Sequence, residues 1–236
     1  MSHLLSRRSL LAAGGLTAAG AAGLATAGPA AAAAPATEAP PANPDAALRR
    51  LLDGNRRFVA GRARHPHQSP RHLRELASGQ HPFAITLGCA DSRVPPELLF
   101  DQGLGDLFDN RVAGNIVDDL LLGSIEFAIE EFHPLVLVVL GHERCGAVSA
   151  TVNALQGGES APGHIGAIVE ALRPIIEPLI GTETDVVEAG VRANVHAQVQ
   201  QLLATSEIVA EKVQTGTLKV VGARYDLDDG RVTLVD

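Results

Sequence analysis

The chain contains only two cysteines, and both follow apolar runs and lie beside polar side chains. Cys89 ends the run in "HPFAITLGC" and is followed at once by Asp91 and Arg93, in "CADSR". Cys145 follows the run in "LVLVVLGHERC", which also contains His142. Two thiolates and one imidazole form a ligand set for Zn²⁺, and three protein ligands leave a fourth tetrahedral position for water or substrate. The residue types therefore favour a catalytic zinc site.

Two other interpretations of the cysteines stay open at this point. In an exported protein, two cysteines more often form a disulfide, and the spacing of Cys89 and Cys145 does not exclude one. The chain could instead be a non-catalytic binding module that zinc stabilises. Asp91 and Arg93 argue against such a module, because a structural zinc site is normally closed by a fourth protein ligand.

The elements that position these residues are predicted from the hydrophobic pattern. Both cysteines follow continuously apolar runs, which are typical of strands buried on both faces of a parallel sheet. Between the strands, apolar residues recur at helical spacing. We predict helices at 46–60, 117–132, 145–158, 183–206 and 207–216, strands at 81–88, 106–115 and 133–141, and a hairpin at 217–236 that turns at Asp229–Gly230.

These elements predict an α/β fold with a mainly parallel central sheet, flanking helices and an additional C-terminal edge strand or hairpin. In such sheets, ligands bind at the carboxyl ends of the strands. The loops that carry Cys89 and His142 therefore converge if their strands are neighbours. The sequence alone does not establish that adjacency.

Composition limits the classes of partner. The 236 residues include 19 Lys and Arg against 27 Asp and Glu. Nucleic acids and anionic membrane surfaces attract basic proteins, so this acidic chain is expected to bind neither. With one Tyr, six Phe and no Trp, the chain also lacks the aromatic side chains of a stacking platform for bases or sugars.

The N-terminal segment reads as a targeting signal. Residues 1–34 are predicted to be a twin-arginine-type export signal with an Ala-rich tail, because Arg7 and Arg8 precede a weakly hydrophobic Ala/Gly stretch and a small-residue cleavage site. We expect an Ala/Pro-rich linker at 35–44, a catalytic domain at 45–236 and no stable membrane span in the mature protein. The protein is then extracellular or lies in the cell envelope.

Three motifs together resemble the β-class carbonic anhydrases: "CADSR", "GDLFDNRVAGN" and "GHERCG". The resemblance runs from about Ala46 to the C-terminus. It implies reversible hydration of CO₂ to bicarbonate and a proton by a zinc-bound hydroxide. One Zn²⁺ per chain would be held by Cys89, His142 and Cys145, and Asp91 and Arg93 would form the catalytic dyad.

The resemblance also implies residues that contact CO₂ or bicarbonate. Phe108, Ala113 and Phe127 would line an apolar cleft, Gly146 would permit close approach, and Gln80 would donate a hydrogen bond to the substrate. In the family this glutamine commonly reaches across a dimer interface, so the resemblance implies a homodimer or a higher even oligomer.

The chain departs from the family pattern at two positions. Val112 stands where Asn is common, and Phe127 stands where many members carry Tyr. The loss of a pocket hydroxyl at Phe127 would affect rate or selectivity. An alternative activity on the same scaffold is hydrolysis of carbon disulfide or carbonyl sulfide.

Overall fold

The computed structural model describes residues 39–158 and 161–235. The predicted export signal and the first residues of the predicted linker lie outside these ranges. The helices are α1 (Pro44–Val59), α2 (Pro70–Leu76), α3 (Pro96–Leu99), α4 (Asp119–Phe132), α5 (Gly146–Gly157), α6 (Ile165–Ile176), α7 (Val186–Thr205) and α8 (Glu207–Gln214). The strands are β1 (Ala84–Gly88), β2 (Leu107–Arg111), β3 (Val136–His142), β4 (Lys219–Tyr225) and β5 (Val232–Val235).

The five strands form one sheet in the order β2-β1-β3-β4-β5. The first four are parallel, and β5 returns antiparallel to β4. The predicted fold class is therefore confirmed, including the C-terminal hairpin. Because β1 and β3 are direct neighbours, with Gly88 opposite Leu140, the loops that follow them leave the sheet side by side.

Apolar residues cover both faces of the sheet. On one face, Leu51 of α1 and Leu99 of α3 pack with Val138 of β3. On the other, α4, α7 and α8 pack against β1 and β3, with Val195 of α7 fully buried. Every residue of β1 and β3 is buried, as the continuous apolar runs predicted. The sheet is thus a rigid base for the two loops at its carboxyl end.

Three helices escaped the sequence analysis: α2, α3 and α6. Helix α3 has only four residues and no side-chain cap, and α6 has no capping side chain and contains Pro174. Without a capping side chain, the sequence does not mark where a helix begins, and a proline inside the pattern suggests that the helix ends there. By contrast, α1 begins at a capping residue, Asn43, whose side chain accepts the Ala46 N–H at 2.9 Å.

Among the residues described, none of the helices combines the length and apolarity needed to cross a membrane.

Candidate metal centre

Cys89, His142 and Cys145 converge at the carboxyl end of the sheet. One potential ligand atom from each lies within 4.8 Å of the others. Cys89 directly follows β1, His142 ends β3, and Cys145 is the residue before α5. The side chains are 5%, 0% and 1% exposed in the order of the chain, and both cysteines are free. The structure therefore contradicts the disulfide interpretation.

His142 has the tautomer that a metal ligand requires. Its Nδ1 lies 2.9 Å from the backbone oxygen of Glu143. A carbonyl oxygen only accepts hydrogen bonds, so Nδ1 carries the proton and Nε2 presents a lone pair in the neutral ring. Among the described residues, Nε2 is buried without a hydrogen-bond partner. Such an orphaned atom between two thiols fits a bound metal ion, with the Glu143 carbonyl fixing the ring orientation.

The two thiols share a proton in the metal-free protein. A hydrogen bond from the Cys145 thiol lowers the pKa of Cys89 to about 4, and the hydrogen bond from the Gly114 N–H acts in the same direction. The pKa of Cys145 is raised because its thiol is hydrogen-bonded to Cys89 and because it is buried. The N–H groups at the start of α5 oppose that rise, as expected at a helix N-terminus. A soft divalent cation would take the place of the shared proton.

Asp91 is held beside the ligands by Arg93. The Arg93 guanidinium donates to both carboxylate oxygens, at 2.9 and 2.7 Å, and the Arg93 backbone N–H donates to Oδ1 at 2.9 Å. These hydrogen bonds hold the pKa of Asp91 well below its usual range. Asp91 Oδ2 lies 3.9 Å from His142 Nε2. The Asp91 carboxylate, with its lowered pKa, therefore faces the space that the three candidate ligands surround.

Arg111 fixes the loop that carries this dyad. It extends from the end of β2, and its guanidinium donates to the backbone oxygens of Cys89 at 2.9 Å and Asp91 at 2.6 Å. Sequence analysis quoted Arg111 within a motif without giving it a role. No periodicity signals such a contact, because it depends on β2 lying beside β1.

Comparison with known proteins agrees with this geometry. Residues 84–232 match the family model described as carbonic anhydrase. Carbonic anhydrase 2 of Mycobacterium tuberculosis is 45% identical over 196 residues, which cover 82% of this chain and 94% of that protein. The β-carbonic anhydrase of Coccomyxa, solved in complex with acetazolamide, matches with a TM-score of 0.63 and 28% identity, covering 80% of this chain and 86% of that one. The chain belongs to the β-class carbonic anhydrases.

A second curated relative supports the same assignment. The carbonic anhydrase of Mycolicibacterium smegmatis is 45% identical over 195 residues, covering 82% of this chain and 94% of that protein. The family resemblance drawn from the three motifs is therefore confirmed, and with it the expectation that the protein is a carbonic anhydrase.

Two of the predicted substrate residues of this β-carbonic anhydrase lie next to its candidate ligands. Ala113 precedes Gly114, whose N–H donates to Cys89 Sγ at 3.5 Å. Gly146 follows Cys145 and is exposed, and a Cβ atom placed there would meet no described atom within 4 Å. Space is therefore open on the solvent side of Gly146. Close approach of substrate there stays a prediction.

The two phenylalanines lie in a different group. Phe108 of β2 and Phe127 of α4 have ring centroids 6.4 Å apart, and both contact Phe132. Phe108 belongs to the core cluster under α4, whereas Cys89 and Cys145 belong to the cluster with α5 and α6. Phe127 is 57% exposed. Their role in a CO₂ cleft stays a prediction.

Gln80 lies at the opposite end of β1 from Cys89. It is exposed in the segment that precedes the strand, whereas Cys89 follows the strand. The five residues of β1 span about 17 Å at ~3.3 Å per residue. Gln80 is therefore distant from the candidate ligands of its own chain.

Sequence analysis also missed two buried amides on α7, Asn194 and Gln198, which contact the loop between β2 and α4. They lie on the apolar stripe of the helix, where polar residues are unusual. Polar residues at positions expected to be apolar are therefore the sequence signal by which Asn194 and Gln198 could have been identified.

Proposed function

We propose that this β-carbonic anhydrase hydrates CO₂ reversibly to bicarbonate and a proton, using one Zn²⁺ per chain bound by Cys89, His142 and Cys145. The observation that carries the proposal is the buried, partnerless Nε2 of His142 beside two free thiols and an arginine-bound carboxylate. Three ligands with soft and borderline donor atoms suit zinc, and they leave one coordination position open.

When bound by these three residues, zinc would supply an activated water, because it lowers the pKa of a bound water toward ~7, with carbonic anhydrase as the standard example. The protein's part is to orient the reacting oxygen. Asp91 Oδ2 faces the same space as His142 Nε2, so its carboxylate would accept a hydrogen bond from a water held there and orient it for attack on CO₂. Arg93 keeps Asp91 ionised and prevents it from turning toward the ligands.

Metal analysis and stopped-flow kinetics test this proposal. The purified protein should contain one zinc per chain and hydrate CO₂. Asp91→Ala should keep the zinc and lose kcat by at least about a hundredfold, because general-base and orienting groups typically contribute that much. Asp228→Ala is the matched control, since Asp228 is an exposed carboxylate bound to another arginine.

Two results would contradict the proposal. Unchanged activity of Asp91→Ala would remove the role of the dyad. Faster turnover of carbonyl sulfide or carbon disulfide than of CO₂ would assign the site to hydrolysis of the sulfur analogues.

We further propose that the protein works as a homodimer or higher even oligomer in which Gln80 serves the site of the partner subunit. The position of Gln80, far from the ligands of its own chain, supports this arrangement.

Subunit mixing tests the dimer. Gln80→Ala and Cys145→Ser variants should each lose most activity. A mixed dimer of the two should regain activity at one of its two sites, because the intact metal site then receives the partner's intact Gln80. If mixing restores nothing although mixed dimers form, Gln80 acts within its own chain or not at all.

We also propose that the protein is exported by the twin-arginine route, on the strength of Arg7 and Arg8 and the stretch that follows them. Replacement of both arginines by lysine in the full chain should retain the protein in the cytoplasm, and a cell fractionation assay would show it. Unchanged export would remove the twin-arginine assignment.

A further inference from the structure

Helix α7 carries two buried amide side chains that form hydrogen bonds with each other and with the loop beside the candidate metal centre. Asn194 and Gln198 are each 1% exposed and lie one turn apart. We propose that Asn194 is a positioning residue for the zinc site: its side chain fixes the loop 112–117 that presents the Gly114 N–H to the sulfur of Cys89. The inference depends on the zinc site proposed above and assigns a role to a residue outside it.

The position of α7 is set by close packing against the strands. A Cβ atom on Gly141 of β3 would lie 2.5 Å from Val195, and one on Gly222 of β4 would lie 2.7 Å from the same side chain. The helix approaches the sheet this closely only because both strand residues lack side chains. Asn194, next to Val195, is therefore held at a fixed distance from the strand that ends in His142.

The two amides form a chain of hydrogen bonds with a single consistent orientation. Asn194 Nδ2 donates to the Gly114 oxygen at 2.8 Å, and Gln198 Nε2 donates to Asn194 Oδ1 at 2.9 Å. Gln198 Oε1 in turn accepts the Val117 N–H at 2.8 Å. Reversal of either amide would place donor against donor or acceptor against acceptor, so the orientation of both is fixed. Together the two side chains bind the loop at Gly114 and at Val117.

Gly114 connects these hydrogen bonds to the candidate metal ligand Cys89. Its N–H donates to Cys89 Sγ at 3.5 Å, and its own oxygen is the one that Asn194 binds. The residue has φ +81°, and a Cβ atom there would lie 3.1 Å from Ala147 and 3.3 Å from Leu172. Glycine is therefore needed at this position, but glycine alone does not choose the conformation. The hydrogen bond from Asn194 to the Gly114 oxygen selects this conformation.

The consequence is electronic as well as steric. An N–H donor on a thiolate reduces the charge that the sulfur donates to a bound metal, and a fixed loop keeps Cys89 Sγ oriented toward the other two ligands. Loss of such outer-sphere partners typically costs about 10- to 100-fold in metal affinity or activity. Asn194 acts through Gly114 and Cys89, without touching the reacting atoms.

The test compares two buried asparagines. Asn55 of α1 is also buried, donates to the oxygens of Leu99 and Gly230, and accepts the Val232 N–H, all away from the metal centre. Asn194→Leu and Asn55→Leu each remove a satisfied buried amide of nearly the same size. Both variants should therefore unfold at lower urea concentration than the wild type.

Two measurements on the metal centre should separate these variants. Zinc affinity from competition with a chromophoric chelator should fall about 10- to 100-fold in Asn194→Leu and change less than about twofold in Asn55→Leu. The thiolate-to-cobalt charge-transfer band of the Co²⁺-substituted protein should shift in the first variant only. Should Asn194→Leu fail to fold, Gln198→Met, which removes only the support of Asn194 and Val117, should show the same two changes at smaller amplitude.

The outcomes distinguish this inference from the proposed zinc site. A wild-type protein that binds no zinc would overturn the zinc site, and this inference with it. A wild type that binds zinc, with Asn194→Leu or Gln198→Met matching Asn55→Leu in affinity and in the cobalt band, would overturn the positioning role alone.

Discussion

The described chain brings together two groups of three potential metal ligands, and they differ in whether their atoms are already occupied. Cys89, His142 and Cys145 form one group, and Glu143, Asp226 and Asp228 form the other. In both, the ligand atoms lie within 4.8 Å of one another. The groups are adjacent in the chain, since Glu143 follows His142.

The acidic group is neutralised by arginines. Arg144 binds both oxygens of Asp228, at 3.0 and 2.7 Å, and one oxygen of Glu143. Arg224, largely buried, binds Asp226 at 2.8 Å and lowers the pKa of that carboxyl to about 2. The carboxylates serve here as partners of cations that the chain itself supplies, and they hold the β4–β5 turn against the end of β3.

The comparison shows that proximity alone does not make a metal site. In the part of the chain that the structure describes, the first group is set apart by a buried imidazole nitrogen without a hydrogen-bond partner, next to two free thiols. Folding leaves that nitrogen unsatisfied, which is unfavourable unless a ligand binds it. Mutations that break either group should therefore have different consequences.

The largest effect is expected from loss of a sulfur ligand. Cys145→Ser should reduce the zinc content from one per chain to a small residual fraction and abolish CO₂ hydration, because a serine hydroxyl is a poor ligand for zinc. Asp228→Asn, which alters the acidic group, should keep full zinc content. Equal zinc content in the two variants, measured after dialysis against a chelator, would show that the sulfurs do not hold the metal.

Loss of the arginine that binds Asp91 in the candidate metal centre should lower activity by about a hundredfold. In Arg93→Leu, Asp91 is released, and Oδ2 already lies 3.9 Å from His142 Nε2. The carboxylate should turn toward the zinc and occupy its open position, so activity should fall by about a hundredfold while zinc stays bound.

Removal of the freed carboxylate provides the control for Arg93→Leu. If blockage is the cause, the double variant Arg93→Leu/Asp91→Ala should bind added azide or another small anion that Arg93→Leu excludes. Equal anion binding in the two variants would mean that Asp91 does not close the site.

The positions of the candidate zinc ligands could be predicted from the sequence because local signals indicate them. Apolar runs fixed the strands before Cys89 and His142, and the charged neighbours of Cys89 argued for chemistry. The adjacency of β1 and β3 could not be predicted, since strand order depends on packing between distant segments. The same holds for the hydrogen bond from Asn194 to Gly114, whose partners lie 80 residues apart.

The predicted substrate residues show a second limit of prediction from sequence. Ala113 and Gly146 were named from the family resemblance, and in the structure they adjoin Gly114 and Cys145, next to the candidate ligands. The location of Gln80 at the far end of β1 follows from strand direction alone, which a motif does not convey. Residues that act across subunits leave no trace in the hydrophobic pattern of one chain.

An effect of about 3 kcal/mol on stability is expected in the acidic group. Arg224→Met removes the largely buried cation beside Glu143, Glu188 and Asp226. Asp226 then loses its arginine partner, whereas Glu143 and Glu188 keep Arg144 and Arg192. Arg144→Ala, at the exposed side of the same group, should lower the free energy of unfolding by less than about 1 kcal/mol. Urea unfolding of the zinc-loaded proteins measures both. Equal effects would mean that burial of the arginine does not matter here.

The smallest effect concerns a carboxyl that has no strong arginine partner. Burial, aided by the neighbouring charge of Glu97, raises the pKa of Asp109 to about 7 from an ordinary value of 3.8, although the Thr86 hydroxyl donates to it and Arg111 lies nearby. Between these two pH values the folded protein keeps a proton that the unfolded chain releases. The free energy of unfolding should therefore decrease as the pH rises from about 4 to 7.

Asp109→Asn should remove this dependence, because the amide cannot ionise and its oxygen can still accept from Thr86. The stability of the variant relative to the wild type should therefore increase by about 2–3 kcal/mol between pH 5 and pH 8, since nearly two pH units of this window lie below the folded-state pKa of about 7. Asp226→Asn is the control: the pKa of Asp226 is lowered, so its contribution to stability is lost only as the pH falls below about 4, toward 2. Urea unfolding of each protein at pH 5 and pH 8 decides the point. A wild type whose stability relative to Asp109→Asn is the same at both pH values would show that Asp109 is already ionised in the fold.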